Sequence, residues 1–303
     1  MKRKKLYNIN YFFGTFKRLI EKVIPVTSSL YRLLYLNAFR LQSKSRNKRR
    51  KNFSFQVHIV DSCNLNCVGC STFAPLCNNS FIDVSSFERD IKRIAMLGQI
   101  ENMVLIGGEP LLHPNIIDII KISREYVKTG ELLILTNGVL LLKQSLEFWE
   151  SCKANRIKIG VTPYPIKLDY EQIIETTEKY SIDLKYYNVG EKGFFVKIPL
   201  NIERKSNIVK TFNKCSSSPC VTLRDGKMYS CYRPSLVSFF NSCFGQDFKV
   251  SEKDYIDVHS ATSKDEILDF VCKPTPFCRY CDVDNMKFGI PWGISKKEIG
   301  EWV

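Results

Sequence analysis

The sequence predicts an α/β fold in which parallel strands alternate with helices and curve into a barrel. Two observations favour this fold. From residue 55 onward, short runs rich in β-branched and aliphatic residues alternate with stretches of helical periodicity. Short glycine-rich or polar motifs follow four of the strands, and a β/α barrel carries its functional groups at these strand ends. The 303 residues, 44% of them hydrophobic, suffice for one large domain with a small appendage.

The predicted elements follow one another without long gaps. The helices are expected to begin at short polar side chains, and the first is assigned a capping box of Ser85 and Glu88. Strands are predicted at residues 55–60, 103–106, 132–135, 157–161 and 184–187, and helices at 85–97, 115–128, 144–153 and 170–180. This order of elements is typical of β/α units on a parallel sheet.

Three cysteines with C-x3-C-x2-C spacing, Cys63, Cys67 and Cys70, follow the first strand directly. Thiolates hold iron–sulfur clusters, and three on one loop suit three corners of a [4Fe–4S] cube. The fourth iron is then open to a small molecule that offers an amine and a carboxylate. The alternative is a structural zinc site, for which Cys77 is the nearby candidate for a fourth ligand.

Further motifs follow the next three strands: Gly107-Gly108-Glu109-Pro110, Thr136-Asn137-Gly138 and Thr162-Pro163-Tyr164-Pro165. Paired glycines let a backbone approach a ligand closely, and Glu109 can accept hydrogen bonds from an ammonium group. Taken alone, each motif is equally consistent with an ordinary turn. Their shared position with the cysteines on one rim favours a common binding site.

The cysteine triad and the Gly107-Gly108-Glu109-Pro110 motif, about forty residues apart, resemble those of the radical S-adenosylmethionine (SAM) superfamily. The resemblance covers roughly residues 53 to 200 and implies a partial (β/α)6, TIM-like barrel. It also implies a [4Fe–4S] cluster whose open iron binds SAM. Reductive cleavage of SAM then gives a 5′-deoxyadenosyl radical that removes a substrate hydrogen atom. The residues expected to contact SAM are Gly107, Gly108, Glu109, Pro110, Thr136, Asn137 and Thr162.

One residue departs from the superfamily pattern. Members usually carry an aromatic residue just before the last cysteine of the triad, and this chain has Gly69 there. The departure concerns how adenine packs rather than how the cluster is held.

A second set of cysteines lies beyond residue 200. A hairpin turning at Asp225-Gly226 is predicted between Cys215 and Cys231, and Cys278 and Cys281 form a C-x2-C pair. The arrangement resembles the SPASM extension of radical SAM enzymes in its shortened "twitch" form, a cysteine-rich hairpin plus helix module with one auxiliary [4Fe–4S] cluster. The expected ligands are Cys215, Cys231, Cys278 and Cys281, with Cys220 in reserve.

A zinc ribbon is the alternative for this second set. The remaining cysteines are expected to be unliganded, as isolated cysteines usually are. Trp292 and Trp302 are expected to seal the auxiliary module. The cysteines expected to be unliganded are Cys77, Cys152, Cys243 and Cys272.

The net charge of +14 is confined to the first 51 residues, which carry fifteen Lys and Arg side chains and one acid, Glu21. Apolar residues at helical spacing lie between these basic residues, so residues 1–51 predict a basic amphipathic segment that either lies on the inner face of an anionic membrane or packs on the body. The remainder is neutral, which makes nucleic acid an unlikely partner. The predicted domains are residues 1–51, a barrel at 52–205 and an auxiliary module at 206–303.

The resemblance implies an enzyme that oxidises or otherwise modifies a small polar molecule of the sugar or aminocyclitol type, with a flavodoxin or ferredoxin as electron donor. A peptide-modifying maturase is the second hypothesis, and a non-catalytic iron–sulfur or zinc protein is the third. No catalytic base is assigned. No signal peptide is recognised and the cysteines have cluster-type spacing, so a reducing cytoplasm is expected.

Overall fold

A computed structural model describes residues 51–186, 194–217 and 220–303. The predictions for the basic segment therefore fall outside the described residues, apart from Lys51. Five parallel strands form the centre of the fold and pair in sequence order. They are β1 (Phe53–Val60), β2 (Ile100–Gly107), β3 (Glu131–Thr136), β4 (Ile157–Val161) and β5 (Leu184–Tyr186). The predicted α/β class and the five strand positions are confirmed.

Four helices connect these strands: α1 (Val84–Leu97), α2 (Ile116–Tyr126), α3 (Leu146–Ala154) and α4 (Tyr170–Lys179). The capping box predicted at Ser85 is wrong, because Asp83 is the N-cap and its carboxylate accepts a hydrogen bond from the Ser86 N–H. Ser85 instead donates its hydroxyl to Asp83. An aspartate two residues earlier satisfies the free amides as well as serine does, and it adds a favourable charge at the helix N-terminus.

The main apolar core lies between one face of the sheet and the helices. Alternate residues of β1 point into it, so Phe55, Val57 and Ile59 are buried against α1 and α2. The intervening Gln56 and His58 lie on the opposite, concave face. The sheet therefore has a sealed outer side and a partly polar inner side.

The sheet continues on the far edge of β1. The hairpin of β7 (Thr222–Arg224) and β8 (Lys227–Tyr229) joins there, β7 pairing parallel to β1, and β9 (Tyr255–Asp257) follows antiparallel to β8. The predicted hairpin thus forms, and its first strand extends the barrel sheet. Among the described residues, β6 (Phe194–Lys197) pairs with β10 (Lys287–Pro291) as a separate antiparallel ribbon.

Three further α-helices lie in the described part of the C-terminal half: α5 (Ile208–Lys214), α6 (Tyr232–Phe244) and α7 (Lys264–Val271). α7 packs on the main core. α6 instead belongs to a separate cluster of buried apolar residues, called the second core here. The members of this second core include Phe73, Leu236, Phe240, Phe248, Phe277 and Trp302. Because Phe73 follows the first cysteine loop, the second core joins that loop to the C-terminal half. The domain division at residue 206 stays a prediction.

No helix in the described part of the chain combines the length and the apolar character needed to cross a membrane.

Candidate functional site

The loop that leaves β1 carries Cys63, Cys67 and Cys70 at the carboxyl edge of the sheet, and all three are half-buried. Burial is the main cause that raises the pKa of Cys63 to about 12, and the charges of Glu109, Cys70 and Cys67 contribute to this rise. Burial likewise raises the pKa of Cys67 to about 11, with a contribution from Cys70. The three thiols thus lie close enough for their charges to interact, and a cationic group among them would favour their thiolate forms.

Hydrogen-bond donors surround the sulfur atoms. The Leu65 N–H and the Asn137 side-chain amide approach Cys63 Sγ at 3.4 and 3.6 Å, and the Trp292 indole N–H donates to Cys67 Sγ at 3.2 Å. Donors of this kind stabilise thiolates and tune an iron–sulfur cluster. The donor set therefore fits the group predicted for this loop.

The glycine pair at the end of β2 packs against the chain that enters the cysteine loop. A Cβ atom added to Gly107 would lie 2.1 Å from the Val60 carbonyl oxygen, and one on Gly108 would lie 2.1 Å from that of Ser62. Backbone hydrogen bonds of 2.8 Å from Gly108 to Val60 and 3.0 Å from Glu109 to Ser62 close the same contact. The glycines thus fix the start of the cysteine loop, and their contact with a cofactor stays a prediction.

Glu109 connects the motifs of two strands. Its carboxylate is fully buried and accepts the Thr136 hydroxyl at 2.6 Å, the Asn137 N–H at 2.9 Å and the Leu111 N–H at 3.1 Å. Burial raises the pKa of Glu109, while the three hydrogen bonds oppose that rise. These three hydrogen bonds use three of the roughly four lone-pair positions of a carboxylate, and a contact between Glu109 and an ammonium group stays a prediction. Pro110 opens the short 3-10 helix that aims the Leu111 amide at Glu109.

Asn137 extends this connection to the cysteines. Its side-chain amide donates to the Asn64 side-chain oxygen at 2.7 Å, beside Cys63. Thr162 joins the same rim through its backbone, since its N–H donates to the Thr136 carbonyl at 3.0 Å. The structure therefore brings the three predicted motifs together around one point at the carboxyl edge of the sheet.

Tyr164 belongs to this site, although sequence reasoning assigned it no role. Its ring lies 5.8 Å from Phe195 and 6.4 Å from Trp292, centroid to centroid. Burial raises its pKa well above the ordinary value, and the charges of the three cysteines and Glu109 add to the effect. Tyr164 thus forms an aromatic wall beside the thiols. Its place in a motif after β4 was the available signal.

The C-terminal segment, residues 292–302, is a strap across the cysteine loop that sequence reasoning missed. The Val68 N–H donates to the Gly293 carbonyl, and the Ser295 N–H donates to the Asn66 carbonyl, each at 2.8 Å. The Trp302 indole N–H donates to the Cys70 carbonyl at 2.8 Å. Such contacts join residues more than 220 positions apart, so no local pattern announces them.

The two tryptophans of the strap differ in role. Trp302 packs its ring in the second core against Phe73 and Phe244. The expectation that Trp292 seals the auxiliary module is wrong, because its indole lies on the first cysteine loop and donates to Cys67. A tryptophan can bury its ring and still place its N–H on a specific acceptor.

Gly69, the residue that departs from the superfamily pattern, lies under this strap. It has a positive φ of 55°, and a Cβ atom there would lie 2.4 Å from both the Glu301 carbonyl oxygen and Lys197 Nζ. Its N–H donates to the Glu301 carboxylate at 2.9 Å, while Lys197 donates to the Val68 carbonyl at 2.7 Å. Only glycine fits this conformation and this space, so an aromatic side chain is excluded by the packing of this chain.

The second cysteine set also converges. Cys231 is the N-cap of α6, Cys215 ends α5, and Cys278 and Cys281 flank the end of the short 3-10 helix Pro276–Tyr280. Burial raises the pKa of Cys231 well above the ordinary value, and the charges of Cys215, Cys281 and Cys278 raise it further. The four thiols predicted as ligands therefore lie within electrostatic reach of one another. Their role as ligands stays a prediction.

Cys220, the reserve ligand, lies near the same set. It is half-buried against the second core, and its charge raises the pKa of Tyr232, for which burial is the larger cause. Among the cysteines expected to be unliganded, Cys152 is buried in the main core and Cys243 is exposed. Cys77 donates its thiol to the Phe73 carbonyl at 3.2 Å.

A buried cation completes the surroundings of the second set. Arg233 is 7% exposed, and its Nη1 lies 3.5 Å from Cys281 Sγ. A cluster held by four thiolates is anionic, so this guanidinium fits the predicted group. Within the described ranges, no three or more His, Cys, Asp or Glu side chains are arranged to hold a single metal ion. A four-iron cube makes a different demand, because each thiolate binds its own iron.

Comparison with known proteins gives a family match that includes the first cysteine loop and the motifs after β2, β3 and β4. Residues 57–183 match the model of the radical SAM superfamily. Over 152 residues, the chain is 25% identical to a probable GTP 3′,8-cyclase of Thermoplasma volcanium, covering 50% of this chain and 45% of that protein. It is 31% identical over 116 residues to a GTP 3′,8-cyclase of Klebsiella pneumoniae strain 342, covering 37% and 35%. The chain thus spans less than half the length of these curated relatives.

Two solved structures match the chain at low sequence identity. The structure of anSMEcpe with bound AdoMet has a TM-score of 0.47 at 13% identity and covers 76% of this chain and 82% of its own. The structure of BtrN in complex with AdoMet and 2-DOIA has a TM-score of 0.45 at 13% identity, covering 77% and 94%.

Proposed function

Since residues 57–183 form a domain of the radical SAM superfamily, which implies a [4Fe–4S] cluster and SAM, we propose that the chain is a radical SAM enzyme with an auxiliary [4Fe–4S] cluster. The observation that carries the proposal is the buried Glu109, whose hydrogen bonds join the motifs after β2 and β3 beside the three thiols. Small-molecule or peptide substrates and a reductant are general to the superfamily. For this chain, a small polar substrate and a flavodoxin or ferredoxin donor are proposed.

When bound, the cluster would supply one electron to SAM, and the reductive cleavage of SAM would supply the 5′-deoxyadenosyl radical. Cys63, Cys67 and Cys70 would hold the cluster, and Glu109 would orient the ammonium group of SAM. Tyr164 would shield the reacting region from water with its ring, together with Trp292.

A small polar substrate is supported by the concave face of the sheet. The Gln56 side-chain amide donates to the Thr222 hydroxyl at 3.1 Å and lies 3.3 Å from the His58 ring nitrogen. These groups lie on the side of β1 away from the helices, below the rim that carries the thiols. Hydrogen-bonding groups on this face match hydroxyl and amine groups of a sugar or aminocyclitol. The cyclases that the chain resembles have GTP in their name, which makes a nucleotide the first competing small substrate.

The auxiliary cluster is proposed on Cys215, Cys231, Cys278 and Cys281, where it would accept the electron left on a substrate radical. An oxidation of an alcohol carbon would balance in this way: the substrate would lose one hydrogen atom to the 5′-deoxyadenosyl radical, and the resulting substrate radical would lose one electron to the auxiliary cluster and one proton to solvent. A peripheral membrane position through residues 1–51 remains a proposal on their composition alone.

The test is anaerobic incubation of reconstituted protein with SAM and dithionite. We expect 5′-deoxyadenosine, about eight irons per chain, and loss of SAM cleavage in Cys70→Ser. The exposed Cys243 provides the matched control, so Cys243→Ser should cleave SAM at the wild-type rate. Cleavage that survives Cys70→Ser, or that is absent from the wild-type protein, would refute the proposal.

Deuterated substrates distinguish the substrate classes. Label from a deuterated aminocyclitol or sugar should appear in 5′-deoxyadenosine. Transfer from deuterated GTP alone would assign the chain the substrate of its relatives, and transfer from a peptide alone would make it a maturase. Either of these two results would overturn the sugar assignment while leaving the radical chemistry intact.

A further inference from the structure

Arg233 is a buried cation whose partners are thiols. It lies in the first turn of α6, two residues after Cys231, and is 7% exposed. Its Nη1 donates to Cys281 Sγ at 3.5 Å and its Nη2 to the Ile198 carbonyl at 2.5 Å. Its Nε has no hydrogen-bond partner within the described residues. The guanidinium therefore keeps one N–H donor without a partner, beside a cysteine of the second set.

The charge of Arg233 is also uncompensated by acids. Among the ion pairs of the described residues, none joins Arg233 to a carboxylate. An arginine stays charged at any physiological pH, so its burial requires negative charge close by.

The position on α6 strengthens this requirement. A helix N-terminus carries a partial positive charge, so a cationic side chain in the first turn is repelled by it. An anion that lies close to both the helix N-terminus and the cation removes this penalty. α6 is anchored because Leu236, Val237 and Phe240 are buried in the second core. The helix therefore holds Arg233 and its own positive end against the thiols Cys231 and Cys281.

We propose that Arg233 is the charge partner of the auxiliary iron–sulfur cluster and raises its reduction potential. This inference rests on the proposed function and specifies the electrostatics of its second site. Four thiolates give a cluster net negative charge, and reduction adds one further electron, so a fixed cation beside the cysteines stabilises the reduced form more than the oxidised form. Arg233 acts through the cluster and is a positioning residue. The consequence is a cluster better suited to accept an electron from a substrate radical.

The test measures the reduction potential of the auxiliary cluster in the full reconstituted chain by an EPR-monitored titration. SAM is added in a parallel titration, because it perturbs the signal of the cluster with the open iron and so tells the two clusters apart. Arg233→Gln keeps hydrogen-bond donors and removes the charge, whereas Arg233→Lys keeps the charge. Arg279, exposed and adjacent to Cys278, supplies the matched control Arg279→Gln.

We expect Arg233→Gln to lower the auxiliary potential, Arg233→Lys to stay near the wild-type value, and Arg279→Gln to leave it unchanged. Fully loaded Arg233→Gln protein with the potential of Arg279→Gln would overturn the inference. Failure of Arg233→Gln to load the second cluster is a separate outcome. In that case, a loaded Arg233→Lys variant supports the inference that the positive charge is needed, whereas failure of both variants to load refutes the inference. Wild-type protein with only about four irons would instead refute the auxiliary cluster itself, before any potential is measured.

Discussion

The ion pair between Asp61 and Arg224 fixes the point at which β1 enters the cysteine loop, and we predict that breaking it destabilises the fold strongly. The pair is bidentate, with N–O distances of 2.6 and 2.9 Å, and the side chains are 5% and 19% exposed. It joins β7 to the residue two positions before Cys63. Arg224→Met keeps most of the apolar stem and removes the charge.

The expected magnitude follows from the burial of Asp61. Unit charges about 4 Å apart interact by roughly 4 kcal/mol at an effective dielectric constant of about 20. Removing one partner leaves the other charge buried and uncompensated, which typically costs about 3 to 5 kcal/mol. Replacing both, as in Asp61→Asn with Arg224→Met, removes the unpaired charge and should recover at least about 2 kcal/mol of that loss.

The assay is urea unfolding of cluster-free, reduced protein under nitrogen, followed by tryptophan fluorescence. Cluster-free protein is used because cluster loss would make unfolding irreversible. Lys214→Met is the control, since it breaks an exposed pair with Asp284 and should cost no more than about 1 kcal/mol. The reasoning fails if Arg224→Met costs no more than this control, or if the double variant is as unstable as Arg224→Met.

Three further outcomes are expected. Gly108→Ala should lower iron loading of the first cluster and reduce the free energy of unfolding by about 1 to 3 kcal/mol, because the new methyl group overlaps the backbone before the cysteines. Gly300→Ala is the control, since a methyl group there meets nothing within 4 Å. Equal iron content in the two variants would contradict this prediction. Trp292→Phe should lower the potential of the SAM-binding cluster in an EPR titration, since the donor to Cys67 Sγ is lost; an unchanged potential would show that this bond does not tune it. Burial lowers the pKa of His58 to about 3, so between pH 6.5 and 3 the unfolded chain binds more protons than the folded chain. The free energy of unfolding of cluster-free protein should therefore fall by about 2 kcal/mol from pH 8 to pH 5. A His58→Gln variant with the same fall would refute the assignment.

Local patterns carried the prediction of the barrel. Strand β4 was predicted with its observed bounds because Ile157–Val161 is a short apolar run between turn residues, and α4 begins after the expected Asp169 cap. The motifs at the strand ends were placed on one rim because parallel strands bring their carboxyl ends together. These inferences needed only chain order and periodicity.

Non-local contacts set the limit of that reasoning. α6 was missed because Pro234 and several aromatic residues obscure a helix that is buried on more than one side. The pairing of β7 with β1 depends on register between residues 166 apart, as for Gln56 and Thr222. The sulfur donor Trp292 is separated from Cys67 by 225 positions. Tertiary packing decides all three features, and no local window contains them.

The C-terminal strap and the strand before it connect the two cysteine sets through the backbone. Ten residues lie between Cys281 and Trp292, and the last five of them form β10, which pairs with β6. Lys197 at the end of β6 donates to the Val68 carbonyl inside the first cysteine loop. A ligand at Cys281 would therefore restrain the strand that presents Trp292 to Cys67, since paired strands shift together rather than residue by residue. The proposed cluster at the second set would therefore be connected to the first loop through β6, β10 and the strap, none of which carries a proposed ligand.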